Sequence, residues 1–179
     1  MLKFTQAPFS DVVDVNAWPK WSADHCDPSK VISKGNQFVN TIIENAPLQT
    51  NQPVWVDVRT QLLMEGCYTL GLGWHTDGEP GSLHHLYIVG SNRTKFQDAE
   101  FPVNHYATYD YTVSHTAIEV EQEEFRLFVR IQEATNIVRQ APELLPYYPR
   151  VFTEEYPLGA EISADTYFRF FTERGLDAV

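Results

Sequence analysis

Cysteines and long hydrophobic runs are scarce in this sequence. Only Cys26 and Cys67 occur among its 179 residues, which is too few for a disulfide-stabilised scaffold of this size. No apolar run approaches the roughly 20 residues that a membrane helix needs, and residues 1–6 do not form the apolar stretch of a signal peptide. We therefore expect a cytoplasmic protein with neither a disulfide framework nor a membrane segment.

Basic residues are also few. The chain has 13 Lys and Arg against 24 Asp and Glu, which gives a formal net charge of -11. Nucleic-acid binding over a broad surface depends on neutralising phosphates, so this charge argues against it. Only a small local basic patch remains compatible with the composition.

Internal repeats, low-complexity tracts and Gly/Ser linkers are absent, and the length suits a single domain, residues 1–179. A hydrophobic share of 43% and an aromatic share of 13% favour a globular, β-rich fold. The hydrophobic pattern divides this domain into three segments. Residues 1–52 hold an N-terminal arm and a helix, residues 53–132 a β-core, and residues 133–179 an irregular segment with a final helix.

The N-terminal segment is predicted to be irregular up to residue 26 and helical after it. Asp27 is a favourable N-cap, and Pro28 suits the first helical position. Apolar residues at helical spacing continue to a stop near Pro47, which predicts one helix. The final helix is expected to begin near Ser163.

From residue 53 the hydrophobic period changes from helical spacing to two, which indicates strands. The predicted strands are 54–58, Gln61–Trp74, Leu83–Val89, Tyr109–Val113, Thr116–Val120 and Phe125–Ile131. Many short strands without intervening helices are typical of a sandwich or barrel.

The sequence His75-Thr76-Asp77 stands where a predicted strand gives way to a Gly/Pro turn. Residues i and i+2 of a strand face the same side, so this imidazole and carboxylate converge on one point. A second imidazole from a neighbouring strand would complete a two-His-one-carboxylate facial triad, which leaves coordination positions open.

His-x-Asp alone is a weak signal, because about one chain in three of this composition contains it by chance. The chain itself has a second copy, His25-Cys26-Asp27. There Asp27 is followed by Pro28 and is better explained as a helix cap. Asp77 could likewise serve only the turn that it forms with Gly78.

Residues C-terminal to the copy at His75 strengthen its case as a metal site. His115 lies 40 residues further on, and Arg126 comes 11 residues after His115. Alternation in this last strand places Arg126, Phe128 and Arg130 on one face and Phe125, Leu127, Val129 and Ile131 on the other. If the apolar face packs on helices, the arginines point inward and need an anionic partner, such as a bound dicarboxylate.

The region from Gly66 to Ile131 resembles the double-stranded β-helix core of the iron(II)- and 2-oxoglutarate-dependent dioxygenases, the superfamily that includes the prolyl hydroxylases. The similarity covers little more than a third of the chain. Besides His75-Thr76-Asp77, it is carried by Tyr68-Thr69-Leu70-Gly71, Leu83–Val89, Thr94-Lys95-Phe96, Tyr111–His115 and Arg126-Leu127-Phe128. Two positions depart from the family pattern, since Phe128 replaces a usual serine and Ser91-Asn92-Arg93 replaces a glycine pair.

This resemblance implies a mainly β protein with flanking helices, folded as a jelly-roll or cupin-like barrel. It also implies an oxidoreductase in which His75, Asp77 and His115 bind Fe(II). The cosubstrate 2-oxoglutarate would be bound by Arg126 and Tyr68, with Arg130 as the alternative arginine. The reaction would hydroxylate or otherwise oxidise an unidentified small-molecule or peptidyl substrate and release succinate and CO2.

Several alternatives stay open. His105 competes with His115 as the distal ligand, although no arginine follows it at a similar offset. His84 and His85 face opposite sides of one strand, so at most one of them looks into the barrel. Arg126 and Arg130 could instead pair with Glu119, Glu121 or Glu124 on a solvated face. The chain could also be a non-catalytic jelly-roll or cupin-like module, and no oligomeric state is predicted.

Overall fold

A computed structural model of the chain describes residues 1–12, 14–70, 72–135, 143–173 and 175. The protein is mainly β with few helices, as predicted. Its strands are β1 Leu2–Gln6, β2 Ser22–Cys26, β3 Val54–Leu63, β4 Leu83–Gly90, β5 Thr94–Phe96, β6 His105–Asp110, β7 His115–Ala117, β8 Glu124–Glu133, β9 Glu143–Leu145, β10 Arg150–Val151 and β11 Ala160–Glu161. The helices are α1 Pro28–Ile32, α2 Gln37–Glu44 and α3 Ala164–Glu173, with a short 3-10 turn at Val15–Ala17.

Seven strands form one antiparallel sheet in the order β1-β6-β4-β8-β3-β2-β9. Two small antiparallel sheets, β5-β7 and β10-β11, complete the β-structure of the described residues. Strand β8 lies at the centre of the large sheet and pairs along its whole length with β3, from Val54 opposite Glu133 to Leu63 opposite Glu124. On its other side β8 pairs with β4.

The two faces of the large sheet bury different partners. On one face, side chains that include Leu127, Val129 and Ile131 pack with α1 and α2. On the other, Phe128 and its neighbours pack against Phe96 of β5. The apolar side of β8 packs on helices, so the side carrying Arg126, Phe128 and Arg130 faces into the interior between the sheets.

The predicted single helix is two helices. Asp27 caps α1 by accepting a hydrogen bond from the Ser29 N–H at 2.8 Å, as expected. The chain then turns at Gly35, whose φ of +75° is unstrained only for glycine. Asn36 caps α2 through its side chain, which accepts from the Val39 N–H. The apolar stripe continues across this break, so periodicity alone did not reveal it.

The predictions for the N-terminal arm and for three strands are wrong in part, because pairing with distant residues decides where a strand lies. The N-terminal arm is not wholly irregular, since β1 pairs with β6 and β2 pairs with β3 and β9. The predicted strand 61–74 ends at Leu63 and is followed by isolated bridges at Tyr68 and His75. The predicted strand 109–113 is shifted, since β6 ends at Asp110. The predicted strand 116–120 ends at Ala117, the last residue of β7.

The C-terminal segment contains β9, β10 and β11 besides the expected final helix, which begins at Ala164. Among the described residues, no helix is long and apolar enough to cross a membrane.

Candidate metal centre

The backbone brings the two predicted histidine ligands side by side. His75 and His115 form an antiparallel bridge in which the His75 N–H donates to the His115 carbonyl at 3.0 Å and the His115 N–H donates back at 2.9 Å. Such a reciprocally bonded pair projects both side chains to the same side of the ladder. The imidazole centroids are consequently only 4.4 Å apart.

Asp77 completes the group, because it lies two residues after His75 and projects to the same side. One ligand atom from each of His75, Asp77 and His115 lies within 4.8 Å of the others. His115 Nε2 is 3.4 Å from Asp77 Oδ2. Ligands about 2.1 Å from a common ion and at right angles to one another are about 3 Å apart, so the spacing suits a shared metal ion.

Both imidazoles have the hydrogen bonding expected of metal ligands. Nδ1 of His75 lies 3.0 Å from the Gly73 carbonyl, and Nδ1 of His115 lies 3.5 Å from the Val113 carbonyl. A proton on Nδ1 donated to each carbonyl leaves the Nε2 lone pair for an ion. The donor set of two imidazoles and one carboxylate is the one that suits Fe(II) with open positions.

Asp77 is held by groups that keep it ionised. Its Oδ2 accepts hydrogen bonds from Arg130 Nη1 at 2.8 Å and from the Tyr109 hydroxyl at 3.0 Å. Burial opposes ionisation of this carboxyl, but Arg130 outweighs it and holds its pKa well below the usual range. Oδ1 accepts no hydrogen bond from the described residues, so one oxygen is available to an ion.

Arg130 joins this carboxylate to a second one. Its Nε lies 2.7 Å from Oδ2 of Asp57, the residue directly opposite it on β3. Asp57 is 1% exposed and also accepts the His25 backbone N–H at 2.7 Å. Arg130 therefore has two carboxylate partners, and its guanidinium holds Asp77 in place.

Arg126 has a different environment on the same face of β8. Its side chain is fully buried, and only Nη2 has a hydrogen-bond acceptor, the Thr94 hydroxyl at 3.2 Å. Nε and Nη1 have no partner within the part of the chain that the structure describes. Burial, with the nearby Arg59, lowers the pKa of Arg126 to about 9. A buried guanidinium without a counter-ion is costly, so this position is suited to a bound anion.

Neither arginine pairs with the glutamates of the solvated face. Glu124 instead binds Arg93, and Glu119 accepts a hydrogen bond from the Tyr68 hydroxyl at 3.5 Å. The alternative in which Arg126 and Arg130 form surface ion pairs is therefore wrong.

A cavity of about 390 Å³ opens beside the candidate ligands. His75, Asp77 and His115 line one part of it, together with Tyr109 and Arg130. Thr94 and Phe128, which contact the Arg126 guanidinium, line another part. Tyr68 is not among the lining residues, although its neighbours Thr69 and Leu70 are, so the geometry gives Tyr68 no contact with a ligand there. Gly71 of the same motif lies outside the described residues.

The remaining histidines occupy other environments. His84 stacks on Tyr109 on the cavity side of β4, whereas His85 faces the helices and bonds Glu133 at 2.8 Å. His105 contacts the Val103 carbonyl and belongs to neither of the ligand groups found among the described residues. His25 does belong to such a group, with Asp24 and Asp57 rather than with the Asp27 of its own His-x-Asp copy, which caps α1.

Sequence reasoning misses two residues that shape the candidate site, Tyr109 and Asp57. The sequence pattern places Tyr109 only in a strand, and its distance from Asp77 along the chain hides their contact. Asp57 does carry a signal, because it is a charged residue in the alternating run Val54–Val58. Only the register of β3 against β8 shows that it lies opposite Arg130.

No protein-family model, curated protein or solved structure significantly matches this chain. A likeness of fold or sequence therefore contributes nothing to the assignment of function. That assignment depends on the geometry and chemistry of the candidate site itself.

Proposed function

We propose that this protein is an Fe(II)- and 2-oxoglutarate-dependent oxygenase with a double-stranded β-helix core. The observation that carries the proposal is the convergence of His75, Asp77 and His115 on a cavity that also reaches the surroundings of the unpartnered Arg126 guanidinium. A metal site with open positions beside a buried cation is what a metal-chelating dicarboxylate requires.

The path of the chain supports the fold within this proposal. From β3 to β8 the chain alternates between the large sheet and a smaller layer formed by the bridge at His75, β5 and β7. Successive visits to the large sheet produce the neighbour order β6-β4-β8-β3. Alternation between two facing layers is the arrangement of a jelly roll.

The candidate ligands fit the metal, and Arg126 fits the cosubstrate. His75 and His115 would contribute Nε2, and Asp77 a carboxylate oxygen, while Arg130 and Tyr109 keep the carboxylate ionised and oriented. Arg126 would receive the distal carboxylate of 2-oxoglutarate on Nε and Nη1, which have no partner among the described residues.

When bound, iron with 2-oxoglutarate and dioxygen supplies the oxidising chemistry, which forms succinate and CO2 and oxidises a substrate C–H bond. The protein binds and orients the reactants and shields them from water. Phe128 and Leu86 contribute apolar surface to the cavity beside the ligands. Because the Arg126 side chain is fully buried, water screens its ionic contact with a bound anion only weakly.

The test is succinate formation from 2-oxoglutarate by the purified protein with Fe(II), ascorbate and air but no added substrate. We expect slow, iron-dependent succinate formation that is lost in Asp77→Ala and kept in His105→Ala, the matched control for a histidine outside the candidate triad. An iron-loaded, folded protein that neither binds 2-oxoglutarate nor forms succinate would contradict the proposal.

A non-catalytic jelly-roll or cupin-like module is the second candidate, and one observation favours it. The charges of Asp77, Arg130 and Asp57 already satisfy one another without a metal. In that case the histidines and the ion pairs serve only to stabilise the fold. A folded protein that binds neither Mn(II) nor 2-oxoglutarate would favour this candidate over the oxygenase.

A further inference from the structure

Arginines are concentrated around the cavity beside the candidate metal ligands. Arg59, Arg130 and Arg150 line this cavity, and Arg126 lies behind Thr94 and Phe128, so four of the chain's 13 Lys and Arg surround it. Asp77 is the only acidic residue among its described lining. This local excess of positive charge contrasts with the formal net charge of -11 for the whole chain.

Two of these four arginines already have a role in the proposed function. Arg130 is neutralised by Asp57 and Asp77, and Arg126 is assigned to the distal carboxylate of 2-oxoglutarate. Arg59 and Arg150 remain. A cavity lined by uncompensated cations attracts and concentrates anions.

Arg59 is held in a fixed position and stays charged, because Tyr148, Asp57 and Asp24 raise its pKa against the effect of burial. Its guanidinium lies 5.2 Å from the centroid of Phe128 and 5.0 Å from that of Tyr148, so two aromatic rings restrict it. Its carboxylate contact is Asp24 at 3.5 Å, and the Asp24 side chain is 52% exposed. An ion pair with so exposed a partner contributes little, which leaves Arg59 able to bind a ligand anion.

Arg150 has no ion-pair partner among the described residues. Its cross-strand neighbour Glu161 on β11 does not come within ion-pair distance of it. Arg150 is exposed at the edge of the cavity, near Tyr148 and Phe152. Arg59 and Arg150 therefore form a second cationic wall, distinct from the pair Arg126 and Arg130 on β8.

The size of the cavity limits what can bind there. A volume of about 390 Å³ lies near the lower end of the range of roughly 300–1,000 Å³ for ligand pockets, and 2-oxoglutarate would occupy part of it. The remaining space suits a small molecule or a single side chain.

Building on the proposed function, we propose that the substrate is a small organic anion whose carboxylate or phosphate is bound by Arg59 and Arg150. The anionic group would lie between these two arginines, and the rest of the molecule would extend past Phe152 and Leu72 towards the metal ligands. Tyr148, which packs on Arg59, and Phe152 favour a substrate with an apolar or aromatic portion next to its charge.

The test compares two aromatic anions with an uncharged analogue. The protein is loaded with Mn(II) and saturating 2-oxoglutarate, then titrated calorimetrically with benzoate, its uncharged analogue benzamide, and phenyl phosphate. We expect at least one anion to bind together with 2-oxoglutarate and benzamide not to bind. Preference between benzoate and phenyl phosphate distinguishes a carboxylate from a phosphate substrate.

Arg150→Gln is the decisive variant, because an exposed side chain can be changed without disturbing the fold. It should weaken binding of the preferred anion roughly tenfold or more. Arg169→Gln, on the exposed side of α3, removes the same charge outside the cavity and should leave binding unchanged. Affinity for 2-oxoglutarate should be the same in all three proteins.

Failure of this proposal is distinguishable from failure of the proposed function. If 2-oxoglutarate binds but benzamide binds as well as benzoate, or no probe binds, or Arg150→Gln has no effect, the anionic substrate is wrong and the oxygenase stands. If wild-type protein binds neither Mn(II) nor 2-oxoglutarate, the oxygenase is wrong, and with it the substrate proposed for it.

Discussion

Arg126 and Arg130 lie on the same face of the same strand, four residues apart, but among the described residues only Arg130 has a counter-ion. Arg130 is bound by two carboxylates, Asp57 and Asp77, whereas Arg126 has one neutral acceptor, Thr94. Burial alone therefore does not indicate the role of a charged residue. A buried charge with partners can be explained by the fold, and a buried charge without them requires a ligand.

The largest expected effect comes from removing the partnered arginine. In Arg130→Met, Asp57 keeps its 1% exposure but loses its cation, and such a broken buried pair costs about 3–5 kcal/mol. We expect the free energy of unfolding, measured with urea, to fall by that amount. The exposed control Arg169→Met should unfold like the wild type. If the free energy of unfolding falls by less than about 1 kcal/mol, the ion pairs of Arg130 contribute no more than ordinary surface ion pairs do.

Removal of the unpartnered arginine should separate stability from binding. Arg126→Met takes a guanidinium without a counter-ion out of the interior, so the ligand-free protein should be at least as stable as the wild type. Binding of 2-oxoglutarate, measured by calorimetry with Mn(II), should weaken by about 2–5 kcal/mol, or 30-fold and more. Mn(II) affinity should survive. If Arg130→Met loses 2-oxoglutarate binding and Arg126→Met keeps it, the assignments of the two arginines must be exchanged.

The two His-x-Asp copies offer a similar comparison at the metal. Mn(II) at about a hundredfold excess over its dissociation constant should raise the free energy of unfolding by about 2.7 kcal/mol. His75→Ala should abolish this gain, since its Nε2 is proposed as a ligand. His25→Ala is the matched control, because the carboxylate of its His-x-Asp copy, Asp27, caps α1. Full metal stabilisation in His75→Ala would contradict the triad.

Local sequence pattern predicts those parts of the protein that are determined locally. The cap at Asp27, the β-rich core and the inward face of Arg126 can each be inferred from neighbouring residues, and the structure agrees with all three. The inference that His75 and Asp77 project to one side comes from strand periodicity in the same way.

The rest depends on contacts between residues far apart in sequence. Asp57 and Arg130 are opposite each other only because of the register of β3 and β8, which no local pattern specifies. Arg59 and Arg150 line the same cavity although they lie on strands far apart in the sequence. No sequence pattern singles out either residue. Such residues determine the charge of the cavity, so the sequence alone does not indicate the class of substrate.

Two neighbouring histidines extend the comparison of partnered and unpartnered groups, with the smallest expected effect. His85 has a partner on each ring nitrogen, Thr108 and Glu133, whereas Nδ1 of His84 is buried without one among the described residues. Burial lowers the pKa of His85, although Glu133 opposes the shift. Burial and Arg130 lower the pKa of His84 to about 3.

The direction of the pH effect is set by these two lowered pKa values. The pKa of a histidine in the unfolded chain is about 6.5. Below that pH the unfolded chain binds more protons than the folded chain, so the free energy of unfolding falls as pH falls. Each histidine contributes a slope of up to about 1.4 kcal/mol per pH unit between about pH 6.5 and its folded pKa. His85→Gln should therefore reduce the slope of the wild type, as measured by urea unfolding between pH 7.5 and 5. Equal slopes in wild type and His85→Gln would mean that His85 is already charged beside Glu133. In that case its partners would outweigh burial on the helix side of the sheet, as the partners of Arg130 do on the cavity side.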